Sequence, residues 1–428
     1  MESGGGLFLA SAEATFNPDL NNWAPRLGIA YDVFGDGKTI VRTGYGIFYA
    51  FALFNSLQDP QTSTPFSFNE TIYNTTLANP YGPVGGSPFP FQLNPSNLKF
   101  PTPIAFGYNG TAGFIDPNLR TGYVQQYNFT IQHQFGKDWS AEVAYVGNAS
   151  RKLTGSRDID APLPSPNASS ANINQRRPLY PEFEQLSETS GFVDASYNAV
   201  QARVEKRFSQ GFTLLGSYTM SKSLDDASSF GSDQLWSDSY NIRLDYGPST
   251  FNQHQQFVAS GVWQLPFFAN SKGITHRVLG GWSANVIGTF YTGMPINLLT
   301  GTDNNFDGIN TDRPNVIGPW SLSTSRPQGQ LVQEWFNTSA FQPNAKGQLG
   351  DLGRDVINGP GSKELDIDLS KNIPITEHKQ LQFRCDMFNA LNWVNLGSPV
   401  ASLNSPNFGK IQTAGNPRIF QLALKFLF

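Results

Sequence analysis

The chain has 428 residues, of which 14% are charged and 13% aromatic, with 34 phenylalanines and a net charge of −4. Soluble domains average about 25% charge, so water would solvate this surface poorly, yet the longest apolar run, near Ile47 to Phe54, is far short of the roughly 18 residues a membrane helix needs. Helical membrane proteins are therefore excluded, aperiodic Gly and Pro among bulky aromatics exclude collagen and disorder, the missing basic excess excludes nucleic acid as a partner, and a lone Cys385 excludes an intrachain disulfide.

At the amino terminus, MESGGGLFLASAEA carries Glu2, no early Lys or Arg, and only Leu7 to Ala10 as an apolar stretch. That is not a secretory signal, which needs a basic start and a longer apolar run. If the rest of the sequence demands a membrane, an export signal is expected upstream of Met1, and the chain is expected to be a fragment or to start from a misplaced initiation codon.

From about Asn21 onward the sequence alternates. In YVQQYNFTIQHQF, Tyr123, Tyr127, Phe129, Ile131 and Phe135 share one parity while Gln126, Asn128, Thr130, Gln132 and Gln134 share the other. In YNAVQARVEKRF, Val200, Ala202, Val204 and Phe208 oppose Gln201, Arg203, Glu205 and Arg207; Phe212, Leu214, Tyr218 and Met220 repeat the pattern. Leu365, Ile367 and Leu369 oppose Asp366, Asp368 and Ser370. At the carboxyl end Phe420, Leu422, Leu424, Phe426 and Phe428 share one parity. This places about eleven strands, each near the ten residues that cross a bilayer when tilted. They begin near Asn21, Lys38, Gly122, Trp139, Tyr197, Gly211, Gln253, Gly280, Ser362, His378 and Pro417.

Short turns at FGDG, FGKD, SQG, Ser271 to Val278 and TEH alternate with long loops at about 51–121, 154–196, 227–252, 301–361 and 396–416. A membrane barrel sorts its connections this way and a soluble sandwich or propeller does not. Trp139 and Trp282 begin strands just after short turns, where an interfacial aromatic girdle sits. Placing Lys206 or Arg207 in lipid at mid-membrane would cost about 2–4 kcal/mol each, so the polar parity should line a water-filled lumen. The fold class is thus all-β, a transmembrane antiparallel barrel.

Few residues suggest chemistry. In DNNFDGINTD, Asp303, Asn305 and Asp307 before Gly308 match the first half of a calcium loop, with Asp312 as a further carboxylate. The twelfth position is Pro314, where a bidentate Glu belongs, and the competing reading is an Asx-rich turn held by side-chain to backbone hydrogen bonds. Calcium at these four residues is the only cofactor suggested. Gly37, Lys38 and Thr39 are not a phosphate loop, because the first Gly would fall at Asp32 and a strand follows. His133, His254, His276 and His378 lack zinc spacing, and no G-x-S-x-G elbow occurs, so no enzyme is expected. Cys385 shares the outward parity with Leu381, Phe383 and Met387, whereas Gln382, Arg384 and Asp386 should face the lumen. The aromatic and polar stretch PQTSTPFSFNE to PYGPVGGSPFPFQLNP reads either as an outer ligand vestibule or as a mobile cover.

Several blocks resemble, in order and spacing, the carboxyl-terminal half of an Oar-like TonB-dependent receptor barrel. They are YVQQYNFTIQHQF, VAYVGNASRKL, YNAVQARVEKRFSQGFTLLGSYTMSKSLDD, DYGPSTFNQHQQFVASGVWQLP, WFNTSAF, GDLGRDVINGPG, ELDIDLSKN and LQFRCDMFNALN. The terminal Phe428 also resembles an outer-membrane assembly signal. The resemblance implies half of a barrel of about 22 strands, closed by an amino-terminal plug. Residues 1–20 would then be part of an extracellular loop, and 21–428 the carboxyl-terminal barrel half. It implies a location in a Gram-negative-type outer membrane, with lipid, the missing plug and barrel half, the TonB complex and an unidentified extracellular ligand as partners. The function implied is ligand capture and energised uptake by the complete protein; the alternative is a passive porin-like or surface-adhesion barrel. A half barrel leaves two unpaired edges in hydrocarbon and should not insert alone.

Overall fold

The computed structural model describes residues 17–50, 75–82, 111–181, 185–229, 236–268, 271, 273–376 and 379–428. Eleven strands follow one another through a single antiparallel wall. They are β1 (Arg26–Asp32), β2 (Thr39–Tyr49), β3 (Tyr123–Phe135), β4 (Trp139–Asp158), β5 (Gln185–Ser209) and β6 (Phe212–Asp225). The wall continues with β7 (Gln255–Gln264), β8 (Trp282–Tyr291), β9 (Ser362–Pro374), β10 (Gln380–Phe388) and β11 (Ile419–Leu427). Two short strands complete a 13-stranded sheet: Thr111–Ile115 runs parallel to β5, and Gly247–Pro248 pairs with the end of β6. No ladder joins β1 to β11 among the described residues, so the wall is open.

Register explains the two faces. Across the wall Ile131 pairs with Val143, Tyr145 with Val200, Val200 with Met220 and Tyr218 with Phe257. Farther on Val286 pairs with Ile367, Leu369 with Cys385 and Cys385 with Leu422. Every antiparallel pairing therefore keeps the apolar parity in phase, because a one-residue slip would turn a whole strand inside out. Those side chains are left open: Val200 is 40% exposed, Leu422 68% and Val143 54%. An apolar face that nothing among the described residues covers fits hydrocarbon, not water.

Aromatic rings edge this face at both ends. At one end Tyr127 and Tyr145 stack with centroids 6.2 Å apart, and both hydroxyls donate to Asn198 Oδ1 at 2.8 Å. The ring of Tyr127 lies where a Cβ on its partner Gly147 would stand, so the glycine makes room for the girdle. At the other end Trp139 opens β4 and Trp282 opens β8, each after its short connection.

Lys206 departs from the expectation that the lysine avoids the lipid face. It shares the outward row with Val204 and Phe208, opposite Trp139. Its ammonium turns back to the Ser209 carbonyl and hydroxyl, both at 2.8 Å, and lies 3.8 Å from the centre of the Phe212 ring. Lys371 repeats the arrangement beside Trp282, bonding Val278 O at 3.2 Å and Gly280 O. Both stems lie on the apolar face while the charge snorkels to turn carbonyls at the rim, which removes the mid-membrane cost.

All strands except β1 and β5 begin within two residues of the positions expected from alternation. β1 starts at Arg26, just after Pro25, which has no N–H to donate. β5 starts at Gln185 instead of near Tyr197 because its first half pairs with Leu153–Asp158 and with Thr111–Ile115. There the contacts are polar, Arg157 with Glu188 at 3.1 Å and Ser156 with Thr189 at 3.0 Å, so no lipid-to-water contrast imposes alternation.

The long connections between β8 and β9 and between β10 and β11 build a small core of their own. Ile296, Leu298, Phe336, Ala340, Phe341, Leu352 and Ile357 are buried together, with Phe408 packed on them. The ring of Phe336 meets Phe341 at 5.7 Å and Phe408 at 5.2 Å, edge to face. Two-residue ladders close it, Pro295–Ile296 with Ile357–Asn358 and Asn315–Val316 with Phe341–Gln342. WFNTSAF, Trp335 to Phe341, supplies its centre. Gly350 lies so close to the Arg313 and Pro314 carbonyls that a Cβ has no space.

Candidate functional site

Asp303, Asn305, Asp307 and Asp312 lie in one loop whose side chains fold back on its own backbone. Asp303 accepts from the N–H of Asp307 at 3.1 Å and of Gly308 at 2.9 Å. Asn305 Oδ1 accepts from Asp307 N at 2.8 Å and its amide donates to Asp307 Oδ2 at 2.9 Å; Asp307 Oδ1 accepts from Ile309 N at 2.8 Å. Asp312 Oδ2 receives three bonds, from Asn304 N at 2.6 Å, Asn305 N at 2.9 Å and Asn344 Nδ2 at 2.9 Å. These are Asx turns, in which the carboxylates already serve backbone donors. A calcium ion would have to compete with those N–H groups for the same oxygens. Among the described residues, no group of three or more His, Cys, Asp or Glu side chains is placed to hold a metal.

Burial pushes the Asp307 carboxyl up to about 7, aided by the charges of Asp303 and Asp312 and opposed by its bonds from Asn305 and Ile309. Burial also raises Asp312. The guanidinium of Arg176 donates to the Phe306 carbonyl and ties this loop to the connection between β4 and β5. Between the two connections lies a cleft of about 630 Å³, lined by Ser170, Asn174, Gln175, Arg177, Gln185 and Asp307 among others. The charges at its base are mutually satisfied: Arg177 pairs with Asp158 at 2.8 Å, and Asp158 also accepts from Asp160 N and Leu186 N, each at 3.0 Å. Beside these and the Asp307 carboxyl, the polar lining is hydroxyl and amide, in a volume typical of small-molecule sites. No local spacing announces this cleft, because its two sides lie more than a hundred residues apart in the chain.

The inner face of the wall is polar and cross-linked. Arg42 donates to Gln132 Oε1 at 2.8 Å and Arg203 pairs with Glu205 at 2.9 Å. Farther round, Arg384 sits between Asp368 at 2.9 Å and Asp386 at 2.8 Å, and Asn285 Nδ2 donates to Asp368 Oδ1 at 2.5 Å. Arg384 and Asp386 thus lie on the polar parity, and Cys385 on the apolar one opposite Leu369 and Leu422.

The remaining candidates have ordinary surroundings. His133 Nδ1 lies 2.8 Å from Thr39 Oγ1, and His254 Nδ1 is 3.0 Å from Ser221 O. His378 and the side chain of His276 lie outside the described residues, as does most of the aromatic stretch after Ala50. At Gly37 the chain makes a tight turn in which Asp32 accepts from Gly35 N at 3.1 Å and Gly37 N at 2.7 Å.

Comparison with solved structures gives matches at low identity. The outer membrane transporter YddB from Escherichia coli has a TM-score of 0.48 at 12% identity, over 94% of this chain and 40% of that one. The pyoverdine receptor FpvA from Pseudomonas aeruginosa gives 0.44 at 10%, over 95% and 36%, and the ferric-catecholate import receptor Fiu from E. coli 0.40 at 11%, over 94% and 34%. The chain spans two-fifths or less of each of these structures. No curated protein matches it by sequence. A family model described as the outer membrane beta barrel domain matches residues 3–421. With its uncovered apolar face and polar inner face, the chain belongs to the outer membrane beta barrel domain family, and its place is the outer membrane of a Gram-negative-type cell.

Proposed function

We propose that this chain is the wall of an energised outer-membrane receptor of the TonB-dependent, Oar-like kind. The complete protein captures a ligand at its long connections and passes it inward through a plugged barrel. The observation that carries the reading is the open antiparallel wall of eleven strands. In an antiparallel path of odd number, the first and last strands run the same way. Antiparallel closure therefore needs an odd number of further strands. A second copy of the wall would meet β11 with a parallel β1 at both seams, so the complement is a different segment. Eleven more strands give the wide, plugged barrel that the sequence blocks resemble.

Ligand capture is assigned to the cleft beside Asp307, whose lining of hydroxyl and amide side chains suits a ligand with several hydrogen-bonding groups. A passive porin-like or adhesion barrel is the competing class, and conductance separates them. The full-length protein in a planar bilayer should be electrically silent, because a plug fills the lumen. A steady open conductance would overturn the receptor reading in favour of a passive pore.

A further inference from the structure

Where the connection between β8 and β9 meets the end of β6, a cluster of charges is buried out of balance. Arg313 pairs with Asp245 at 2.6 Å and donates to Leu244 O at 3.0 Å. Arg354 grips the carboxylate and carbonyl of Asp225 and reaches Ser228 Oγ at 3.4 Å. Asp225 in turn accepts from Ser228 Oγ at 2.9 Å, and Asp245 from Ser237 N at 2.9 Å. In those two pairs each carboxylate has its guanidinium, although the Nε of Arg313 and of Arg354 is buried without an acceptor among the described residues. Asp355 is left over: it is 2% exposed, neither carboxylate oxygen accepts a hydrogen bond, and the nearest cation, Arg354 Nη1, stands 3.9 Å away. The backbone at Asp355 is left-handed, with φ of 58°.

Three carboxylates, Asp225, Asp245 and Asp355, thus face two guanidiniums, and among the described residues the third has no hydrogen-bond donor. Burying an ionised carboxylate unpaired costs far more than burying the neutral acid. The segment around Asp355 is tightly seated: the Arg354 carbonyl lies 2.6 Å from where a Cβ on Gly247 would be, and Gly247 is laddered to Asp225.

We propose that Asp355 is a proton-operated catch. While its carboxyl is protonated, the Arg354–Asp355 turn stays docked on Gly247 and the end of β6; ionisation releases it, and with it the connection that carries the Asp303–Asp312 loop. The groups facing the catch are Asp225 and Ser228 at the end of β6, Asp245 in the turn before Gly247, and Arg313 and Arg354 in the connection itself. Burial pushes the Asp355 carboxyl up to about 6; Asp225 adds to the rise, and Arg354 and Arg313 oppose it. The docked state therefore holds the proton more tightly than the released one. Docking is strongest below the ordinary carboxylate range and weakens as pH rises through about 6. The catch is a property of the connections and holds whatever the barrel carries.

Amide hydrogen exchange on the full-length protein in outer-membrane vesicles tests this, corrected for the intrinsic pH dependence of exchange. Peptides covering 353–358 and 246–249 should lose about tenfold in protection between pH 5 and pH 7.5, the ratio set by seated and free carboxyl values near 6 and 3.9. Asp355→Asn tolerates the left-handed backbone and cannot ionise, so it should hold the acid-state protection throughout. Corrected wild-type protection that stays level between those pH values would overturn the catch, as would an Asp355→Asn protein that keeps the wild-type fall. If the variant does not assemble, the wild-type profile decides alone.

Discussion

Val200→Arg should abolish assembly of the barrel, while Gln201→Arg, one residue along the same strand, should leave it nearly intact. Val200 stands on the outward row between Tyr145 and Met220 and is 40% exposed. An arginine on that apolar row costs up to about 2–4 kcal/mol, a large fraction of a typical stability, and Val200 pairs with strand residues on both sides, with no turn carbonyl beside it of the kind that receives Lys206. Gln201 faces the lumen between Ala144 and Thr219, where the neighbouring Arg203 already sits in water beside Glu205. The cost of a further cation there is close to zero. Heat-modifiable mobility of the full-length protein in outer-membrane extracts reads the difference. Equal tolerance of the two arginines would mean that the faces do not differ in solvent.

The second large effect is expected at Arg313. Arg313→Ala leaves Asp245 buried beside empty space, and losing one partner of a buried ion pair costs about 3–5 kcal/mol. Ser237 supplies Asp245 with two hydrogen bonds, at 2.9 and 3.0 Å, but no charge. The damage should be local: limited proteolysis ought to cut the 292–361 connection in the variant at protease levels that spare the wild type, while the wall stays resistant. Adding Asp245→Asn should recover much of the loss, because the orphaned charge goes with it. A variant as resistant as the wild type would show that the pair does not hold the connection down.

What the sequence made legible follows from where solvent contrast exists. Between two aromatic rows, each strand has lipid on one side and water on the other, and that contrast writes a period of two into Phe420 to Phe428 and Tyr123 to Phe135. Above that zone the contrast vanishes, which is why the first half of β5 escaped the pattern although it pairs as regularly as the rest. The row from Val200 to Phe208 contains Lys206, and only the position of that lysine beside the turn shows how a charge fits the apolar face. The core around Phe336 rests on two-residue ladders between segments distant in the chain, Pro295–Ile296 with Ile357–Asn358 and Asn315–Val316 with Phe341–Gln342, too short for any periodicity. Arg313 with Asp245 and Arg354 with Asp225 are likewise remote pairs without a local signature. The Asp303–Asp312 loop was visible as a cluster of oxygen ligands because its contacts are local; that most of those oxygens serve backbone N–H groups is a matter of geometry, not of spacing.

The wall divides into a face for acyl chains and a face for water. Spin labels placed singly from Tyr197 to Phe208 of the full-length protein, in a Cys385→Ala background, measure that division directly through collision with oxygen, which partitions into lipid, and with a water-soluble nickel complex. The expected result is strict alternation, with even positions favouring oxygen and odd positions the nickel complex, in opposite phase. Labels that all meet the nickel complex, or none that meet oxygen, would show a strand with no lipid on either side and would contradict the account.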